Sequence, residues 1–143
     1  MKIAIGSDHG GFKLKEAVIE YLKSLSYEVI DCGCFGLDSC DYPVYAKDVC
    51  ELIVKKECDK GILICTTGIG MSITANRFKG IRAALITNED MCRLTRQHNN
   101  SNILVMGAKY TPIDVAKKYV DIFLNTEFEG GRHERRINLI EKE

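Results

Sequence analysis

Short, nearly continuous apolar runs alternate along this chain with stretches whose apolar residues recur at helical spacing, and that alternation constrains the fold most. Ile3-Ala4-Ile5 reads as a strand closed by Gly6. From Phe12 to Leu25 the apolar positions 14, 17, 18, 21, 22 and 25 share one helix face. Glu28-Val29-Ile30-Asp31 is a second strand and Cys32 to Asp41 a loop. Pro43 suits the first turn of a helix reaching about Lys56. Gly61 to Cys65 predicts a third strand, followed by a helix from about Gly70 to Phe78. Ile81 to Ile86 is a fourth, and Asn88-Glu89-Asp90 caps a helix to about Gln97. Ile103 to Met106 is a fifth strand, Pro112 opens a helix to about Leu124, and a last helix runs from Arg132 to about Ile140. Strands that are apolar on both faces and separated by helices imply a parallel sheet covered on both sides. The expectation is a doubly wound, Rossmann-like α/β sandwich of three layers with a five-stranded parallel sheet, one domain over residues 1–143.

In such a sheet, ligands bind at the carboxyl ends of the strands, beside the switch in strand order. That rule selects three loops: Ser7 to Gly11, Cys65 to Gly70, and Gly107 to Lys109. The middle loop, CTTGIG, carries the most chemistry. Gly68 and Gly70 can let backbone N–H groups converge into a nest for a phosphate or a developing oxyanion, with the positive end of the next helix behind them. No Gly-Lys-Ser/Thr follows, so it is not a Walker loop, and Ile73 stands where a dinucleotide fingerprint needs its third glycine. A tight strand-to-helix turn explains the glycines equally well. Cys65 at the head of the loop is either a base activated by a helix N-terminus or, by local context alone, a core cysteine. Asp8 and His9 should lie beside it, yet Asp8 could serve only to accept turn N–H groups. His98 ends a helix, where a dipole partner is the bland alternative. Arg132 and Arg136, four apart, share a face suited to phosphate, although a solvated helix is the commoner meaning of such a run.

Composition removes several function classes. Lys plus Arg and Asp plus Glu number 20 each, so no global field recruits nucleic acid or an anionic membrane. No apolar run has the length of a membrane span, and the opening MKIAIGSDHGG is not a cleavable leader, so a cytoplasmic location is expected. Seven cysteines, an odd number with no C-x-x-C pair, argue against a disulfide framework or a zinc ribbon. The three histidines lie in separate loops without paired spacing, so no metal is expected.

Taken together, GSDHGGF (6–12), DYP (41–43), GILICTTGIG (61–70), NRFKGIRA (76–83), TRQHN (95–99) and EGGRH (129–133) resemble the ribose-5-phosphate isomerase B family, which also holds the galactose-6-phosphate isomerase subunits. The resemblance spans nearly the whole chain. It implies a cofactor-free isomerase of sugar phosphates, a step of the pentose phosphate pathway, in a homodimer or dimer of dimers whose subunits share each active site. Carried onto this sequence, it makes Cys65 the base, His98 the ring opener with Asp8 and His9 nearby, and Thr67 a proton relay. The backbone of Thr66, Gly68, Ile69 and Gly70 would hold the enediolate, Asn99 the sugar, and Arg132 and Arg136 the phosphate. Thr66 stands where members often have glycine, and Lys109 where some have a phosphate-binding arginine, which keeps the charge without the bidentate fork. Some members use a glutamate in the loop, but residues 66 to 75 here contain no carboxylate. Ribose 5-phosphate and ribulose 5-phosphate are the expected pair. Allose 6-phosphate or galactose 6-phosphate is the alternative, as is a non-catalytic nucleotide-binding module on the same fold.

Overall fold

The computed structural model describes residues 1–142. Its elements, in chain order, are β1 (Lys2–Ser7), α1 (Phe12–Ser24), β2 (Glu28–Asp31), α2 (Tyr42–Val54), β3 (Lys60–Cys65), α3 (Ile69–Ala75), β4 (Ala83–Leu85), α4 (Glu89–Asn99), β5 (Ile103–Gly107), α5 (Ile113–Asn125) and α6 (Arg132–Glu141). The five strands form one parallel sheet in the order β2-β1-β3-β5-β4. Helices cover both faces, as the apolar runs require. Ile3, Ile5, Ile62, Ile64, Leu104 and Met106 pack against α1, α4 and α5. Ala4, Leu63, Cys65 and Val105 alternate to the other face, against α2 and α3.

The expected elements are present, with shifted ends. The third helix stops at Ala75 rather than Phe78, because Asn76 leaves the helix to bond the backbone of Ala83 through both ends of its amide, at 2.9 and 2.8 Å. β4 is shorter than its apolar run: Ile81 bonds back into the preceding turn at Phe78, and Ile86 adds one further bond to β5. Two short 3-10 turns, His9–Gly11 and Ala108–Tyr110, follow β1 and β5. The carboxyl end of β2 is tied to α1 by Lys15, whose buried ammonium bonds both oxygens of Asp31 at 2.8 and 2.9 Å and Glu16 at 2.8 Å.

Candidate active site

Because β1, β3 and β5 are neighbours in the sheet, their carboxyl ends bring the three selected loops together. Cys65 ends β3 in register with Gly107, and only 5% of it is exposed. Its Sγ accepts a hydrogen bond from the Gly68 N–H at 3.2 Å. Thr67 Oγ1 accepts from the Ile69 N–H at 3.2 Å, which leaves the hydroxyl's own proton to donate. The Thr66 carbonyl accepts from the Lys109 N–H at 3.0 Å, joining the second loop to the third. Gly68 takes the left-handed φ of +81° that this turn needs, and a Cβ there would come within 2.5 Å of Leu85. The two glycines therefore do different jobs. Gly70 has ordinary backbone, and its missing side chain makes room for the Tyr42 ring, which a Cβ would meet at 2.6 Å. α3 has only seven residues, so the donors here are individual N–H groups rather than a long helix's field.

Asp8 is buried, and its Oδ1 accepts from Gly10 and Gly11 N–H groups at 3.0 and 3.2 Å, the turn chemistry weighed above as the alternative to a site role. His9 accepts the Cys40 N–H on Nδ1 at 3.2 Å, so a neutral ring carries its proton on Nε2. Between these turns and the start of α5 lies a cavity of about 530 Å³, lined by Gly10, Lys13, Thr66, Lys109 and Thr111 among others. It reaches Thr66 but not the thiol, which faces the other side of the sheet.

The remaining expected residues lie elsewhere. His98 and Asn99 end α4, and a helix returning from a parallel strand finishes at the amino edge. Arg82, just before β4, donates from Nε to the Asn99 carbonyl at 2.9 Å and from a terminal nitrogen to Asn100 at 3.1 Å. Buried Arg96 fixes the same turn through Asn100 Oδ1 at 2.9 Å and the Ser101 carbonyl at 2.7 Å. α6 packs on α4, and Arg82 reaches Glu141 at 2.8 Å, so exposed Arg132 and Arg136 belong to this edge too. At about 3.3 Å per residue, β3 separates the two edges by on the order of 15 Å. Within one chain, then, His98 stands at the opposite edge of the sheet from Asp8, His9 and Cys65.

The three histidines are not all apart either. His98 and His133 stack with ring centroids 4.2 Å apart and planes 11° from parallel. Both Nε2 atoms face Glu129 Oε1, at 3.8 and 3.6 Å. Burial, then His98 and Arg132, hold His133 below the usual imidazole range. Glu129 and His133 carried no separate role in the sequence reading, since a contact across 31 to 35 residues leaves no periodic trace; only their place in the EGGRH stretch marked them.

Residues 3–140 match the ribose/galactose isomerase family along their whole run. The chain belongs to the ribose/galactose isomerase family. Ribose-5-phosphate isomerase B of Escherichia coli is 44% identical over 139 residues, covering 97% of this chain and 93% of that one. The structure of Clostridium thermocellum ribose-5-phosphate isomerase B superposes with a TM-score of 0.98 at 50% identity, covering 99% and 95%. That of Mycoplasma genitalium ribose-5-phosphate isomerase B with bound ribulose-5-phosphate gives 0.94 at 42%, covering 98% and 93%. With this membership the chain is an aldose–ketose isomerase, as expected. In this isomerase most thiols are packing. Burial pushes Cys32, Cys50 and Cys92 up to about 12 and raises Cys40 and Cys58 as well. Among the described residues no helix is long and apolar enough to cross a membrane.

Proposed function

We propose that the chain interconverts ribose 5-phosphate and ribulose 5-phosphate through an enediolate, at a site completed by two protomers. The observation that carries this is the division of the family's residues between opposite edges of one sheet: thiol and N–H donors at one, His98, Asn99, Arg132 and Arg136 at the other. A second copy that brings its amino edge to the Cys65 loop supplies what a single chain lacks. Ile69 and Ile73, exposed by 53% and 57% on one face of α3 beside that loop, support such docking.

In the ring-opening step His98 takes the proton of the anomeric hydroxyl and returns a proton to the ring oxygen, giving the open-chain aldehyde. The Cys65 thiolate then removes the proton on C2, and the electron pair moves to the carbonyl oxygen. Backbone N–H groups of residues 66 to 70 hold that oxyanion, a form of stabilisation that is strong when the donors are fixed beforehand. Thr67 passes a proton from O2 to O1, and the thiol returns its proton to C1. The ketose results with no net change in protons. Arg132 and Arg136 grip the phosphate. A coupled assay across ribose, allose and galactose phosphates tests the reading. Turnover fastest on ribose 5-phosphate is expected. Turnover only on a 6-phosphate reassigns the substrate, and none on any sugar phosphate defeats the proposal.

A further inference from the structure

The stacked pair at the amino edge has a geometry that ring opening by His98 alone does not require. His98 Nε2, His133 Nε2 and a Glu129 oxygen lie within 4.8 Å of one another. Two imidazoles and one carboxylate, with a fourth position left to solvent, are the donor set of an open tetrahedral zinc site. With metal–ligand bonds of about 2.0–2.2 Å, ligand atoms of a tetrahedron sit roughly 3.4 Å apart. The two nitrogen-to-oxygen separations, 3.8 and 3.6 Å, are already within a few tenths of that. The parallel rings send their lone pairs side by side, so one ring must tilt for both to reach a single ion. His98, with 39% of its side chain exposed, is the one with room, whereas His133 is held at 10%. Arg132 and Arg136 repel a cation, while Glu129 offsets one of their charges.

We propose that His98, Glu129 and His133 form a binding site for one borderline divalent cation, zinc or cobalt, and that its occupancy inhibits the enzyme. The binding stands independently of the isomerase reading; the inhibition rests on it, because the ion takes the His98 lone pair that opens the sugar ring. The ion is not needed for turnover, so chelator-stripped enzyme keeps full activity.

The test is a titration of the chelator-stripped full chain with cobalt chloride, followed by visible absorption. One cobalt per chain with tetrahedral d–d bands, displaced by zinc, is expected. Glu129→Gln should weaken it by more than the tenfold or so that losing even an outer partner of a ligand costs. His133→Gln should do the same, and Glu129, being exposed, keeps the test valid if the buried histidine variant misfolds. Sulfur-to-cobalt charge-transfer bands would put the ion on a cysteine and overturn the site, as would binding unchanged in Glu129→Gln. In parallel, zinc should lower isomerase turnover competitively with sugar phosphate, reversibly with EDTA. Cobalt bound as described without inhibition by zinc would retain the site and refute the inhibition. An enzyme inactive on every sugar phosphate would leave the spectroscopic result standing.

Discussion

Cys65 is held by backbone on one side and by packing on the other, so its replacement should touch chemistry more than stability. Cys65→Ala should fold and still bind sugar phosphate, yet lose about 10²–10⁴-fold in turnover, the usual worth of a positioned base. Cys65→Ser should be nearly as poor, because no strong base beside it would ionise a hydroxyl; wild-type turnover in either variant would leave the thiol as packing. Gly68 makes the opposite prediction. Its φ of +81° and the closeness of Leu85 and the Met106 backbone mean that Gly68→Ala should cost about 1–3 kcal/mol from backbone strain alone. Chemical denaturation would register the loss, and an unchanged midpoint would show that the turn relaxes without cost. Gly70→Ala should instead displace Tyr42, a contact that no reading of the loop by itself suggests.

Among the elements, α6 and α1 carry separable roles. On the proposed reading, Arg136→Ala on α6 removes a charge-assisted phosphate contact worth roughly 1.5–3 kcal/mol. It should raise KM by about 10- to 100-fold in a folded enzyme, and an unchanged KM would return α6 to a solvated surface helix. α1 instead fastens the edge of the sheet through Lys15, fully buried beside Asp31, which is 30% exposed. Removing one partner of a buried pair is costly because the other charge is stranded. Asp31→Asn strands the more buried charge, leaving the ammonium only one carboxylate, Glu16, so it should destabilise by up to about 3 kcal/mol and by more than Lys15→Met. Equal denaturation midpoints for the two variants would mean that solvent reaches the ammonium.

At the scale of the whole molecule, the division of the proposed site between two edges makes a solution test decisive. Cys65→Ala and His98→Ala protomers should each be inactive, and mixing them should restore part of the activity, because a heterodimer keeps one site with both residues intact. Sedimentation should give a dimer or a dimer of dimers. A fully active monomer would mean that the chain closes on itself in a way its sheet does not show. Closure within one chain would have to span on the order of 15 Å of β3.

The elements and the three loops at the carboxyl edge were legible in the sequence for a local reason: burial on both faces writes an apolar run, and glycine, proline and asparagine mark its ends. GILIC followed by TTGIG identified both the strand and the loop that carries Cys65. The ends of α3 and β4 were less legible, since Asn76 closes its helix by reaching Ala83, seven residues on. The sequence by itself thus determined the layered architecture and which residue types could do chemistry. Only the tertiary structure decided which of them meet. Parallel pairing sends α4 back to the amino edge before β5, so His98 stands away from Cys65 and against Glu129 and His133. No periodicity records such contacts, because they are made by packing α6 on α4 and not by any segment's own spacing.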